Sequence, residues 1–215
     1  MDKKAVLERL TATGVIPVIR AQSADEAAQA IAAIQKGGIS VLEITMTVPG
    51  AVELIREVAR RATDALVGAG TVLDPETARA CIDAGARFVV SPALNVKTIE
   101  ACRDAGIAVL PGALTPTEVV TAWNAGADLV KVFPANALGG ASYIKSLRAP
   151  LPQIGLVPTG GVNLQTAKDF IKAGASALGV GADLVDRAAL RRGEAELITE
   201  RARKFLSLVK EARAE

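Results

Sequence analysis

Lys131 puts an ammonium group inside Asp128-Leu129-Val130-Lys131-Val132-Phe133-Pro134, a stretch whose other residues read as a buried strand. Burial disfavours the charged form of a lysine, and a neutral amine attacks a ketone carbon to form a Schiff base. The plain alternative is a strand-end lysine whose stem lies on apolar surface while its head reaches water. A carboxylate has a matching placement: Glu43 shares strand parity with Val41 and Thr45, as Lys131 does with Leu129 and Phe133. Each polar group can therefore point inward among apolar neighbours. The two form either an inert buried ion pair or a nucleophile with its acid/base partner, and the cost of burying two charges favours function. The chain contains no histidine, which excludes Ser-His-Asp triads, imidazole acid/base pairs and the usual His-Cys metal sites. Chemistry falls to carboxylates, lysine, hydroxyls, backbone amides and water.

The elements that must hold these groups are aliphatic. Half of the 215 residues are apolar but only 3% are aromatic, so Ala, Val, Ile and Leu fill the core. That composition suits parallel strands buried on both faces. A net charge of +2, with no basic stripe carrying interleaved aromatics, argues against nucleic acid as a partner. Cys81 and Cys102 lack metal-ligand spacing and read as packing residues in a reducing compartment. The start, Met1 to Arg9, is charged and lacks the apolar core of a signal peptide, and no run reaches membrane-spanning length. A cytoplasmic protein with no membrane partner is expected.

A small-residue turn followed by an apolar strand recurs, with its second glycine at Gly38, Gly85, Gly106, Gly126 and Gly174. The intervals are one or two units of roughly 20 to 24 residues, about a strand, a loop and a helix. Each glycine can close the preceding helix in a left-handed conformation. Further strands are expected at Val15 to Ile19, Leu66 to Ala69 and Ile154 to Val157, making eight. Helices are expected at 24–35, 51–60, 75–83, 96–104, 116–123, 142–147 and 164–172, with a last amphipathic helix near 194–212. This alternation predicts one small (β/α)₈ TIM barrel over residues 1–215, an α/β single domain. An open doubly wound sheet would normally show Gly-x-Gly-x-x-Gly after its first strand, where this chain has Ile19-Arg20-Ala21-Gln22.

In such a barrel the chemistry sits at the C-terminal ends of the strands. There the chain places Arg20, Glu43 with Thr45 and Thr47, Thr71, Ser91-Pro92, Pro111 with Thr115, Lys131, Thr159-Gly160-Gly161 and Gly181-Ala182. The Gly160-Gly161 pair precedes a helix expected to start near Asn163, and Gly181-Ala182 follows the last strand. Amides freed by glycines in the loops after strands 7 and 8 point to a phosphate pocket.

These residues resemble the class I 2-keto-3-deoxy-6-phosphogluconate (KDPG) and 4-hydroxy-2-oxoglutarate (KHG) aldolases, over about residues 5–210. The resemblance is carried by Ile16-Pro17-Val18-Ile19-Arg20, Leu42-Glu43-Ile44-Thr45, Gly68-Ala69-Gly70-Thr71-Val72, Val90-Ser91-Pro92, Leu110-Pro111-Gly112, Thr115-Pro116-Thr117-Glu118, Lys131-Val132-Phe133-Pro134 and Pro158-Thr159-Gly160-Gly161-Val162. It implies a Schiff base between Lys131 and pyruvate, with Glu43 moving protons through water. It places Thr71, Pro92, Phe133 and Thr159 along the substrate, a keto acid phosphate, and it implies a homotrimer that needs no metal or organic cofactor. Where many members carry a carboxylate-binding arginine this chain has Thr47, and Arg20 can supply the charge. The family's phosphate-binding serine aligns with Ala182, which keeps its amide and loses a hydroxyl. An aldolase for the galactonate-configured isomer, and a non-catalytic trimeric barrel serving as an assembly subunit, are the other readings.

Overall fold

The computed structural model describes residues 1–61 and 64–215. Among these residues nine parallel strand segments form the inner layer: β1 (Val15–Ile19), β2 (Val41–Thr45), β3 (Leu66–Gly70), β4 (Phe88–Val90), β5 (Ala108–Leu110), β6 (Gly112–Ala113), β7 (Val130–Val132), β8 (Leu156–Pro158) and β9 (Leu178–Val180). Hydrogen bonding runs β5-β4-β3-β2-β1-β9 in one sheet and β6-β7-β8 in the other. Two joins make these one ring. Segments β5 and β6 are a single strand divided at Pro111, and a Thr159–Gly179 bridge links β8 to β9. The sequence predicts eight strands, and the ninth segment has a local cause. Proline has no N–H to donate, so the ladder to β4 ends with Val90 opposite Leu110, while the Pro111 carbonyl accepts from Lys131 at 2.9 Å and hands the strand to β7.

Around the ring lie α1 (Lys3–Thr13), α2 (Ala24–Lys36), α3 (Ala51–Arg61), α4 (Pro75–Asp83), α5 (Val96–Asp104), α6 (Pro116–Asn124), α7 (Ala141–Arg148), α8 (Ala167–Lys172), α9 (Arg187–Arg191) and α10 (Ala195–Ala214). Their starts are written in side-chain oxygens: Ser23, Asp74, Asn95 and Thr115 each accept an amide of the first turn, and Thr115 with Glu118 closes a reciprocal box. The five repeat glycines all take positive φ, between 67° and 108°, after their helices. The barrel strands are buried on both faces, and helix faces such as Ile31, Ile34, Leu54, Ile55, Phe170 and Phe205 cover them.

Among the described residues two α-helices, α1 and the short α9, and a 3₁₀ helix at Ala135–Leu138 were not foreseen from the sequence. Helix α1 is charged at its start and mostly half-buried, with Val6 and Leu10 buried at the N-terminal end of the barrel. Helix α8 runs from Ala167, and a capped turn leads into it: Asn163 Oδ1 accepts the amides of Gln165 and Thr166, and the Ala167 amide donates to the Asn163 carbonyl at 2.9 Å. No helix among the described residues is long and apolar enough to cross a membrane.

Candidate active site

Glu43 on β2 and Lys131 on β7 meet inside the barrel, 2% and 3% exposed, with Lys131 Nζ 3.9 Å from Glu43 Oε1. That distance is beyond a hydrogen bond but well within Coulomb range. Glu43 Oε1 is buried with no hydrogen-bond partner, an expensive state for a carboxylate and a useful one for a proton acceptor. Burial pushes the Glu43 carboxyl above its ordinary 4.5, with Lys131 and then Arg20 pulling it part of the way back. The ring of Phe133 stands 5.4 Å from the Lys131 ammonium and bounds the amine on one side.

Room for the carboxylate comes from a missing side chain. A Cβ at Gly70, next door on β3, would lie 2.2 Å from Glu43 Oε1, so only glycine allows that rotamer. The same device recurs twice along the strand ends. A Cβ at Gly179 would lie 2.1 Å from Thr159 Oγ1, and one at Gly112 would lie 2.2 Å from the carbonyl carbon of Pro92. Gly112 therefore lets the Ser91-Pro92 turn close over the rim, where Ser91 Oγ donates to the Ala93 carbonyl and accepts the Gly112 amide at 3.3 Å. None of these three glycines was singled out from the sequence as a site residue. Their signal was available as glycines inside or directly after strands, where nothing but close approach explains them.

Thr71, directly after β3, has φ 58°. A β-branched residue in the left-handed region is strained by about 1–3 kcal/mol, and such strain gathers at functional sites. Thr45 Oγ1 donates to the Ile19 carbonyl at 2.9 Å and lies 2.6 Å from Thr47 Oγ1, so the ends of β1 and β2 are tied together beside Arg20. Arg20 and Thr47 are exposed at the rim, and Pro92 and Phe133 are half-buried. On the other side of the ring the Thr159–Gly179 bridge sets the loop of Gly160 and Gly161 beside that of Gly181 and Ala182. Gly160 and Gly161 have φ 92° and 73°, and no backbone carbonyl among the described residues accepts their amides or that of Ala182. Arg20, Thr47, Thr71, Pro92, Phe133, Thr159 and the Gly181-Ala182 pair follow the C-terminal ends of their strands, while Glu43 and Lys131 lie in the middle of theirs and Pro111 divides the fifth. Among the described residues no group of three or more His, Cys, Asp or Glu side chains is placed to hold a metal ion.

The family model for KDPG and KHG aldolase matches residues 6–201. The chain belongs to this aldolase family. The KHG/KDPG aldolase of Escherichia coli K12 is 35% identical over 202 residues, covering 93% of this chain and 94% of that protein. The 2-dehydro-3-deoxy-phosphogluconate aldolase of Dickeya dadantii is 36% identical over 206 residues, covering 95% and 96%. A Legionella pneumophila KDPG aldolase, solved with pyruvate captured as a covalent carbinolamine, superposes with a TM-score of 0.85 at 31% identity, covering 92% of this chain and 96% of that one. The ring of parallel strands is therefore the barrel of this aldolase family, and the chain is a lyase of the α/β class.

Proposed function

We propose that the whole chain, residues 1–215, is one class I aldolase domain. It cleaves 2-keto-3-deoxy-6-phosphogluconate to pyruvate and glyceraldehyde 3-phosphate, and 4-hydroxy-2-oxoglutarate to pyruvate and glyoxylate. The observation that carries this reading is the buried pair of Lys131 and Glu43, held 3.9 Å apart with the Glu43 oxygen free of partners. Lys131 Nζ attacks the C2 ketone, the carbinolamine loses water, and the resulting iminium withdraws the electrons of the C3–C4 bond. Glu43 takes the C4 hydroxyl proton through water as the aldehyde leaves, then returns a proton to C3 of the enamine, and water hydrolyses the iminium to release pyruvate. No metal or organic cofactor is called for, because the iminium is the electron sink.

Arg20 and Thr47 bind the substrate carboxylate in this reading, while Thr71, Pro92 and Phe133 bound the pyruvyl part. Thr159 lies near the carbon whose configuration is selected. The amides of Gly160, Gly161, Gly181 and Ala182 receive the phosphate. A missing hydroxyl at Ala182 weakens phosphate binding by on the order of 1 kcal/mol without abolishing it. The two buried free thiols suit the reducing cytoplasm. Leu73, in the loop before α4, and Val96, the first residue of α5, are exposed apolar residues brought together by Asn95 Nδ2 donating to the Leu73 carbonyl at 2.9 Å, and they support self-association as a homotrimer.

Pyruvate release tests the assignment directly. The gluconate-configured phosphate should be the best six-carbon substrate, ahead of its galactonate isomer and its unphosphorylated form. Preference for the galactonate isomer would reassign the substrate, equal efficiency with and without phosphate would remove the phosphate role, and no pyruvate from any of them would refute the aldolase.

A further inference from the structure

The loop at the phosphate end of the mouth is rooted in the core by Leu184 and Val185, 0% and 3% exposed, but that packing does not reach its tip. Ala182 and Asp183 are exposed, and a cavity of about 400 Å³ lies behind them, lined by Leu164, Gln165, Ala182, Asp183, Asp186 and Arg201. What fixes the tip is polar. The Gly181 carbonyl accepts from Leu184 and Val185 at 3.0 and 2.9 Å. Across the planar trans peptide the Ala182 N–H must then point the opposite way, out of that turn. The far side of the turn is gripped by Arg201 of α10: Nη1 donates to the Asp183 carbonyl at 3.2 Å, and Nη2 pairs with Asp186 Oδ2 at 3.2 Å. Asp186 in turn accepts the Ala189 amide at 3.0 Å and starts α9. A second anchor follows at once, since Arg187 Nε lies 3.4 Å from Glu26 Oε1, while the other Glu26 oxygen accepts the Gln22 amide at 2.6 Å, two residues beyond Arg20.

We infer that Arg201 is a positioning residue for phosphorylated substrate: by clamping the Asp183–Asp186 turn it holds the Gly181 and Ala182 amides where the phosphoryl oxygens bind. Preset donors are worth more than donors that must be ordered on binding. The clamp matters more in this chain because Ala182 has no hydroxyl to add a contact of its own. The inference rests on the phosphate role proposed above for those amides.

The test measures kcat and KM for wild type, Arg201→Ala, Arg201→Lys and Arg203→Ala on 2-keto-3-deoxy-6-phosphogluconate and on 4-hydroxy-2-oxoglutarate, which has no phosphate. Arg203 pairs loosely with Glu196 on the same helix and serves as the surface control. Arg201→Ala should raise KM for the phosphorylated substrate about tenfold, the upper range for one mispositioned hydrogen bond. It should leave kcat, and both constants on 4-hydroxy-2-oxoglutarate, within about twofold. Arg201→Lys should recover part of the loss and Arg203→Ala should match wild type. Equal losses on both substrates, or none, would overturn the clamp. If wild type itself gains nothing from the phosphate, the phosphate pocket fails and the clamp with it; if wild type gains and Arg201→Ala keeps the gain, the clamp alone fails. Should Arg201→Ala not fold, Asp186→Asn, which keeps an acceptor for the Ala189 amide, carries the same comparison.

Discussion

Glu43 bears the cost of its position. A carboxylate only 2% exposed, with an unpartnered oxygen, is stabilised by Lys131 and Arg20 only in part, so its proton leaves above pH 4.5. Because the ionised form takes the proton in cleavage, the acid limb of kcat/KM should lie above 4.5, and Glu43→Gln should remove that limb while lowering kcat by about 10²–10⁴. Arg20→Gln should move the limb further up, since one of the charges lowering the Glu43 carboxyl is gone. The same shift sets stability. Below about 4.5 the folded and unfolded carboxyls are both protonated and contribute nothing. As pH rises the unfolded carboxyl ionises first, so wild type loses stability relative to Glu43→Gln until the pH passes the folded value. Thermal melts of the two proteins across pH would show the gap opening upward, and a gap that closes with rising pH would contradict it. Both charges were legible in the sequence because each interrupts an apolar strand. The left-handed Thr71 was not, since nothing in a threonine announces the conformation that its neighbours impose.

At the scale of elements, the mouth is set by what strands omit. A methyl at Gly70 would meet Glu43 Oε1 at 2.2 Å, and neither a strand nor a buried carboxylate yields easily. Gly70→Ala should cost about 1–3 kcal/mol of stability and lower kcat by about 10² as Glu43 leaves its position, with pyruvate still able to reach Lys131; steady-state kinetics beside a urea melt separates the two effects. Helix ends were largely readable, because caps such as Thr115-Pro116 and the five turn glycines are local signals. The approach to α8 was readable from Asn163, whose side chain caps the turn before it, although the helix proper runs only from Ala167. Pro111 was read as a mouth residue, but its division of the fifth strand depends on which neighbour needs each amide, a tertiary fact. On α4 and α5, burial first, with Asp74 and Asp128 adding to it, pushes the thiols of Cys81 and Cys102 up to about 11 and about 12. Neither should react with a disulfide reagent at neutral pH until the protein is unfolded.

Across the whole molecule, the end of the barrel opposite the chemistry is closed by α1, which the strand and helix alternation gave no reason to expect. Leu10 is fully buried there, and Lys3 reaches Asp128 at 2.9 Å while Asp128 accepts the Val109 amide at 3.0 Å. Leu10→Ala should cost about 2–5 kcal/mol of stability and leave kcat unchanged at temperatures where the protein stays folded. The barrel itself was legible because five of its strands carry their own glycine turn and the other three are plain apolar runs. Which polar residues meet inside it followed from strand parity and from the rule that strands present their C-terminal ends to one mouth. All of this converges on one covalent bond. Borohydride reduction in the presence of pyruvate, followed by peptide mass analysis, should place a single pyruvate adduct on Lys131, absent in Lys131→Ala and retained in Arg201→Ala. A folded wild-type protein that traps no pyruvate, or traps it on another lysine, would contradict the account.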